Sequence, residues 1–239
     1  VIGAYFIIPL APLSSQGQPL NQNLDSYLEG LTSWGHPNIQ GVWDRRTITP
    51  LERPERLANK AFLTPDEIRD YEAASAARPD GRPLDSGRAG ISVHDPGDLD
   101  YGSTVVPTGQ TSLVVVPATG RIPAYTDTAI LKAEAITKMR EGRGPADSWT
   151  DRSLTERCIT WGVPQGMLPQ AYNNNLKILQ TPTHVMLYVE MLHNVRIIPI
   201  DGRPHIPDSV RQWHGDSRGY WEGDSLIVRT KNFSEKLKK

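Results

Sequence analysis

Three side chains with complementary chemistry fall within one short stretch: Glu190, His193 and Arg196. A carboxylate beside an imidazole can pass a proton to and from a substrate. A guanidinium next to them can grip an anionic substrate group through paired hydrogen bonds. The spacing suits a hairpin. His184 to Glu190 alternates as a strand, a turn follows at Leu192–Asn194, and the next strand returns from Val195. In a tight hairpin Glu190 and Arg196 would lie nearly opposite one another, with His193 at the connecting end. These three are the candidate catalytic residues. The plainer alternative is a structural Glu–Arg cross-strand pair beside an exposed turn histidine.

His184, Glu190 and His193 also have the ligand types of a zinc or non-haem iron site. Distance argues against it. At about 3.3 Å per residue, a straight strand holds His184 and His193 roughly 20–30 Å apart, so no metal is expected. His205, flanked by Pro204 and Pro207, is held extended or in a turn. After it Trp213, Asp216, Arg218 and Trp221 gather aromatic, acidic and guanidinium groups near a strand–turn boundary. Such a set suits a sugar or an aromatic acid, and it equally suits a hairpin in which Asp216 caps its own turn and Trp221 packs inward. With Tyr172, Asn174 and Tyr188 these are the candidate ligand-binding residues. Cys158 is the single cysteine, so no intrachain disulfide forms, and beside Arg157 it is either an activated thiol or an inert buried one.

The elements that must carry these residues are mostly strands. From Asn175 the hydrophobic period is two: LKILQTP, THVMLYVEML, VRIIPID, SRGYWEG and DSLIVRT follow one another, separated by turn residues. Turns every 8–12 residues or so indicate an antiparallel meander curling into a partial barrel. Val185, Leu187 and Val189 form its core face. Upstream, Ile39–Ile48 reads as a strand entering a turn, and Thr111–Pro117 (TSLVVVP) as a buried strand. Thr64, Pro65 and Glu67 spell a helix start, and Thr126–Arg140 reads as a second helix with Ile130, Leu131, Ala135, Ile136 and Met139 on its buried side. Residues 78–109 are long for a loop. The expected fold class is therefore mainly β with two or more short helices (α+β), with a loop-rich N-terminal half to about residue 170.

With 26 basic against 27 acidic residues, no whole-molecule field attracts nucleic acid. The 20 glycines and 20 prolines fit short elements and ordered turns. No G-x-G-x-x-G, P-loop, G-x-S-x-G or H-E-x-x-H occurs, so no organic cofactor is expected. Val1–Leu13 is apolar but too short and Pro-interrupted to span a bilayer. Followed by a small, polar stretch, it reads as a signal-peptide remnant covering residues 1–17, ahead of one domain over 18–239 that is secreted or periplasmic.

The runs Gly142–Trp149, Glu156–Pro164 and Tyr172–Asn175 belong to a wider pattern with Ile198–His205 and Gly215–Asp224. Together they resemble a family of secreted bacterial proteins of uncharacterised activity with a lipocalin-like, β-rich C-terminal half. The resemblance covers about Gln40 to Phe233 and implies a lipocalin-like partial barrel. It implies no named activity. Asn194 stands where the family usually has Asp, and Arg229-Thr230-Lys231 replaces an acidic-Thr-Thr run. Family members also continue beyond the Asn232-Phe233 step, so a C-terminal truncation is expected, leaving a strand edge open to self-association. Three functions follow as expectations. One is an exported barrel-like protein binding a small apolar or aromatic molecule or a short glycan. The second is an exported, cofactor-independent lyase, isomerase or hydrolase. The third is a structural or interaction module.

Overall fold

The computed structural model describes residues 11–12, 30–78, 82–85, 99–163 and 165–237. The chain divides into two compact units, Val1–Arg45 with Cys158–Lys239, and Arg46–Arg157. The expected N-terminal signal remnant falls almost wholly outside the described residues. Among those described, no helix is long and apolar enough to cross a membrane.

The first unit is mainly β. Strands β2 (Gly41–Asp44), β3 (Asn175–Gln180), β4 (His184–Val189) and β5 (Asn194–Pro199) form an antiparallel sheet in that order, and the two-residue β1 (Ala11–Pro12) adds beside β2. Period-two alternation makes one face of this sheet the core. Leu176, Ile178, Val185, Leu187, Val189 and Ile198 are buried there with Trp43 and Met191. The expected core face of β4 is thus the observed one. Strands β6 (Asp216–Glu222) and β7 (Ser225–Lys231) form a separate hairpin, closed by Gly223-Asp224 with Gly223 at φ +57°. A glycine first in a two-residue turn supplies that positive φ without strain.

The two sheets do not close into a barrel. Pro199 ends β5, and Pro204 and Pro207 lie between it and β6; none has the N–H group a continuing ladder needs. The hairpin instead packs onto the core face of the sheet. Gly219 sits so close to Ile198 that a Cβ there would lie 2.8 Å from Ile198 Cγ2, and Leu226 and Val228 complete the contact.

Arg45 fixes the segment that covers this core. Its side chain is buried and donates to four backbone carbonyls: Nε to Asn174 at 3.1 Å, Nη1 to Gly166 at 2.8 Å and Leu168 at 3.0 Å, and Nη2 to Asn173 at 3.3 Å. Burial lowers its pKa to about 10, against the opposing attraction of Glu190 and Asp44. It therefore stays charged at neutral pH.

The second unit holds two α-helices. Helix α1 (Pro65–Ala76) starts at a complete capping box, Thr64 Oγ1 accepting from the Glu67 N–H while the Glu67 carboxylate accepts from the Thr64 N–H. Its Tyr71 packs with Ile48 and Val105. Helix α2 (Asp127–Arg140) begins at the Thr126 cap as its sequence indicates, yet none of its residues is buried, and Ile130, Leu131 and Met139 are exposed. Its apolar stripe has no covering element among the described residues. TSLVVVP is not a strand either. Leu113 and Val114 donate to the carbonyls of Pro50 and Leu51, but Pro50 has no N–H to extend a ladder. The buried Arg53 braces this region by donating to Thr111 Oγ1 and the Ala118 carbonyl.

Replacing Arg45 with Met strands several buried carbonyls. The expected loss of stability is about 3 kcal/mol or more, read from urea unfolding of the wild type and the variant.

Candidate functional site

The side chains that could do chemistry lie at the entrance to β6. The proline-bounded segment before it brings His205 alongside Asp216, the first residue of the strand. His205 Nδ1 and Asp216 Oδ2 are 2.6 Å apart, and the Ile206 N–H donates to the same oxygen at 3.2 Å. Arg218, two residues along the same face of β6, donates from Nη1 to Asp216 Oδ1 at 2.6 Å and from Nε to the Pro204 carbonyl at 2.9 Å. One buried carboxylate thus holds an imidazole with one oxygen and a guanidinium with the other. Side-chain exposure is 8% for Asp216, 16% for Arg218 and 22% for His205. Asn232 ties the underside of the segment by donating to the carbonyls of Ile206 and Pro207.

Burial alone would raise the Asp216 pKa. The hydrogen bonds from His205, Arg218 and Ile206 outweigh it and hold the carboxyl below its ordinary value. Asp216 remains an anion at neutral pH. An anion at Nδ1 favours the tautomer with the proton on that nitrogen, which turns the Nε2 lone pair outward. His205 Nε2 has no hydrogen-bond partner among the described residues.

A second histidine is fixed close by in sequence. His214 Nε2 lies 2.8 Å from Thr160 Oγ1, which also accepts from the Gly162 N–H at 2.9 Å. Burial, and then the charge of Arg196, lower the His214 pKa.

Of the sequence candidates, His205, Asp216 and Arg218 come together. Glu190, His193 and Arg196 do not. The register sets Arg196 opposite Leu187 and Asn194 opposite Val189, because Glu190 has already left the strand for the turn Met191–His193. Glu190 accepts from the backbone N–H and side-chain Nδ2 of Asn175 at 3.0 and 2.9 Å. His193 is exposed, with φ +52°. Arg196 faces the core side of β5. Asn174 is buried, its amide spent on both backbone groups of Gln170, and Tyr172 packs against the core. Tyr188 is exposed on the opposite face of the sheet, and Trp213 is half-buried. Trp221 stacks on His36 with ring centroids 5.7 Å apart. Cys158 is exposed.

Arg45, Thr160, Trp34 and His36 escaped the sequence reading. Arg45 and His36 meet partners more than a hundred residues away and Thr160 meets one 54 residues away, and no spacing announces them. In the second unit, a cavity of about 10 Å³ among Thr49, Leu57, Leu63, Tyr71, Asp85 and Thr111 is far too small to serve as a ligand site, which ordinarily takes roughly 300–1,000 Å³. Among the described residues, no group of three or more His, Cys, Asp or Glu side chains is placed to hold a metal ion. In comparisons with known proteins, no family model, no curated protein and no solved structure matches this chain.

The depressed Asp216 pKa has a stability consequence. A carboxyl whose folded pKa lies below its unfolded value of about 3.9 stabilises the fold fully above that pH. The contribution is lost as pH falls through the folded value. Asp216→Asn is therefore expected to be less stable than wild type at pH 7, with the gap narrowing below about pH 4 in urea unfolding followed against pH.

Proposed function

We propose that this protein is a cofactor-independent acid–base enzyme in which His205 carries the proton. The observation behind the reading is the 2.6 Å contact between His205 Nδ1 and Asp216 Oδ2, with Arg218 on the other oxygen. An imidazole so held has one orientation and one favoured tautomer. Its Nε2 can draw a proton from water or from a substrate and return it to a leaving group. Asp216 steadies the imidazolium that forms, and Arg218 keeps Asp216 ionised and in place. Hydrolysis by a water activated at Nε2 is the simplest chemistry for this arrangement, with lyase and isomerase reactions in the same acid–base class. The apolar Val1–Leu13 run supports export to a periplasm or the cell exterior. Self-association along β7, paired with β6 on its other side, belongs to the same proposal.

His205→Gln keeps a hydrogen-bonding amide near Asp216 but cannot accept and release the proton. Screened against small esters, lactones and glycosides, the wild type is expected to turn over at least one. The variant should lose about 10²- to 10⁴-fold in turnover with an unchanged unfolding midpoint. Wild-type turnover by a folded variant contradicts the reading.

A second reading, binding of a small aromatic molecule or short glycan, is favoured by the His36–Trp221 stack. The ring nitrogens His36 Nδ1, Trp221 Nε1 and Trp34 Nε1 are buried without a hydrogen-bond partner among the described residues, and such groups each cost about 1–3 kcal/mol until a partner arrives. Saturable quenching of tryptophan fluorescence by an aromatic acid or an oligosaccharide, lost in Trp221→Leu, is the expected result.

A further inference from the structure

The inner face of β5 carries a charge that the protein leaves unanswered. Asn194, Arg196 and Ile198 share that face, opposite Val189, Leu187 and Val185. The segment through Trp161 and Gly166 approaches at Asn194, where a Cβ on Gly166 would lie 3.5 Å from Asn194 Nδ2. The β6–β7 hairpin sits on Ile198 through Gly219. Arg196 lies between these two coverings and is half-buried. Among the described residues its guanidinium has neither a hydrogen bond nor an ion pair.

The other buried guanidiniums of this unit are answered. Arg45 meets four carbonyls, and Arg218 meets Asp216 and two carbonyls. Carboxylates that might have answered Arg196 are engaged elsewhere: Glu190 with Asn175, Asp201 with Arg203, Asp208 with Lys231, and Asp216 with His205 and Arg218. His214 is fixed to that same covering segment, its Nε2 2.8 Å from Oγ1 of Thr160, the neighbour of Trp161, and it feels the charge of Arg196. Among the described residues Arg196 is thus a half-buried guanidinium with no protein counter-charge beside a half-buried imidazole held by Thr160, and an anion would supply the missing partner.

We infer that Arg196 and His214 form a binding site for a small oxyanion, a carboxylate or a phosphate. The guanidinium takes two of its oxygens as a fork. With the Thr160 hydroxyl donating to His214 Nε2, 2.8 Å away, the neutral ring carries its proton on Nδ1 as the donor to a further oxygen. The site does not depend on His205 acting as a base.

The test is an NMR titration of the His214 ring signals in the full chain. Inorganic phosphate and acetate are added separately, at an ionic strength held constant with chloride. A saturable shift with either anion is expected, and the anion that produces it identifies the ligand class. Arg196→Met should weaken it by about ten- to a hundredfold, whereas His205→Gln should retain it. In anion-free buffer Arg196→Met should unfold at the same temperature as wild type or higher, because an unpaired half-buried charge has been removed. No saturable shift in the wild type with either anion overturns the site, whether or not the variant folds. An unchanged shift in folded Arg196→Met does the same.

Discussion

The constraint on which the β unit rests is the need of buried backbone carbonyls for donors. A sheet satisfies its own ladder, but the irregular segment that covers its core cannot. Arg45 resolves this by directing one guanidinium at four carbonyls between Gly166 and Asn174. Because Arg45 directly follows β2, the same residue registers the covering segment against the sheet. Trp161, Met167 and Tyr172 then pack on the core as partly buried side chains. Burying a charge for this purpose is costly, and the lowered pKa of about 10 records the cost. It is tolerable because the guanidinium donates four hydrogen bonds and Glu190 and Asp44 lie near enough to favour its charge.

The same logic reaches the candidate site in steps. The covering segment carries Thr160, which is buried and fixes His214. His214 leads into β6, and β6 begins with Asp216, which holds His205. Each link is a polar side chain satisfying a group that packing alone would leave without a partner. Asp216 accepts from His205, Arg218 and the Ile206 N–H, so its carboxylate is both structurally committed and electrostatically stable. That combination gives an adjacent imidazole a fixed orientation, as acid–base chemistry requires. Arg196 stands out against this background, a guanidinium near the core that nothing in the described protein answers.

Much of the architecture was legible in the sequence, and the exceptions share a cause. Strands β3 to β7 announce themselves by alternation and by Asp201-Gly202 and Gly223-Asp224, because these signals are local. Helix α1 is legible to its first residue for the same reason, through Thr64, Pro65 and Glu67. TSLVVVP carries a strand composition but meets Pro50, and a residue opposite in space is invisible in a local window. The stripe on α2 gave the right helix with no buried face, since periodicity records a pattern and not a partner. The partial barrel was expected from turn spacing and from a family resemblance, while closure needs hydrogen bonds between β5 and β6 that the prolines do not supply. At the site, His205, Asp216 and Arg218 were legible as residue types near a strand boundary. The Glu190–Arg196 pairing was not met because a short helical turn at Met191–His193 shifts the register, and that shift has no sequence signature.

Acid–base chemistry at His205 depends on Asp216 holding the ring as the Nδ1–H tautomer with Nε2 bare. The most direct measurement is the pair of imidazole nitrogen chemical shifts of His205, recorded by long-range ¹⁵N–¹H correlation at a pH where the ring is neutral. A protonated Nδ1 and an acceptor-type Nε2 are expected in the wild type, with that preference lost in Asp216→Asn. A wild-type ring protonated on Nε2, or averaged between the two tautomers, would contradict it.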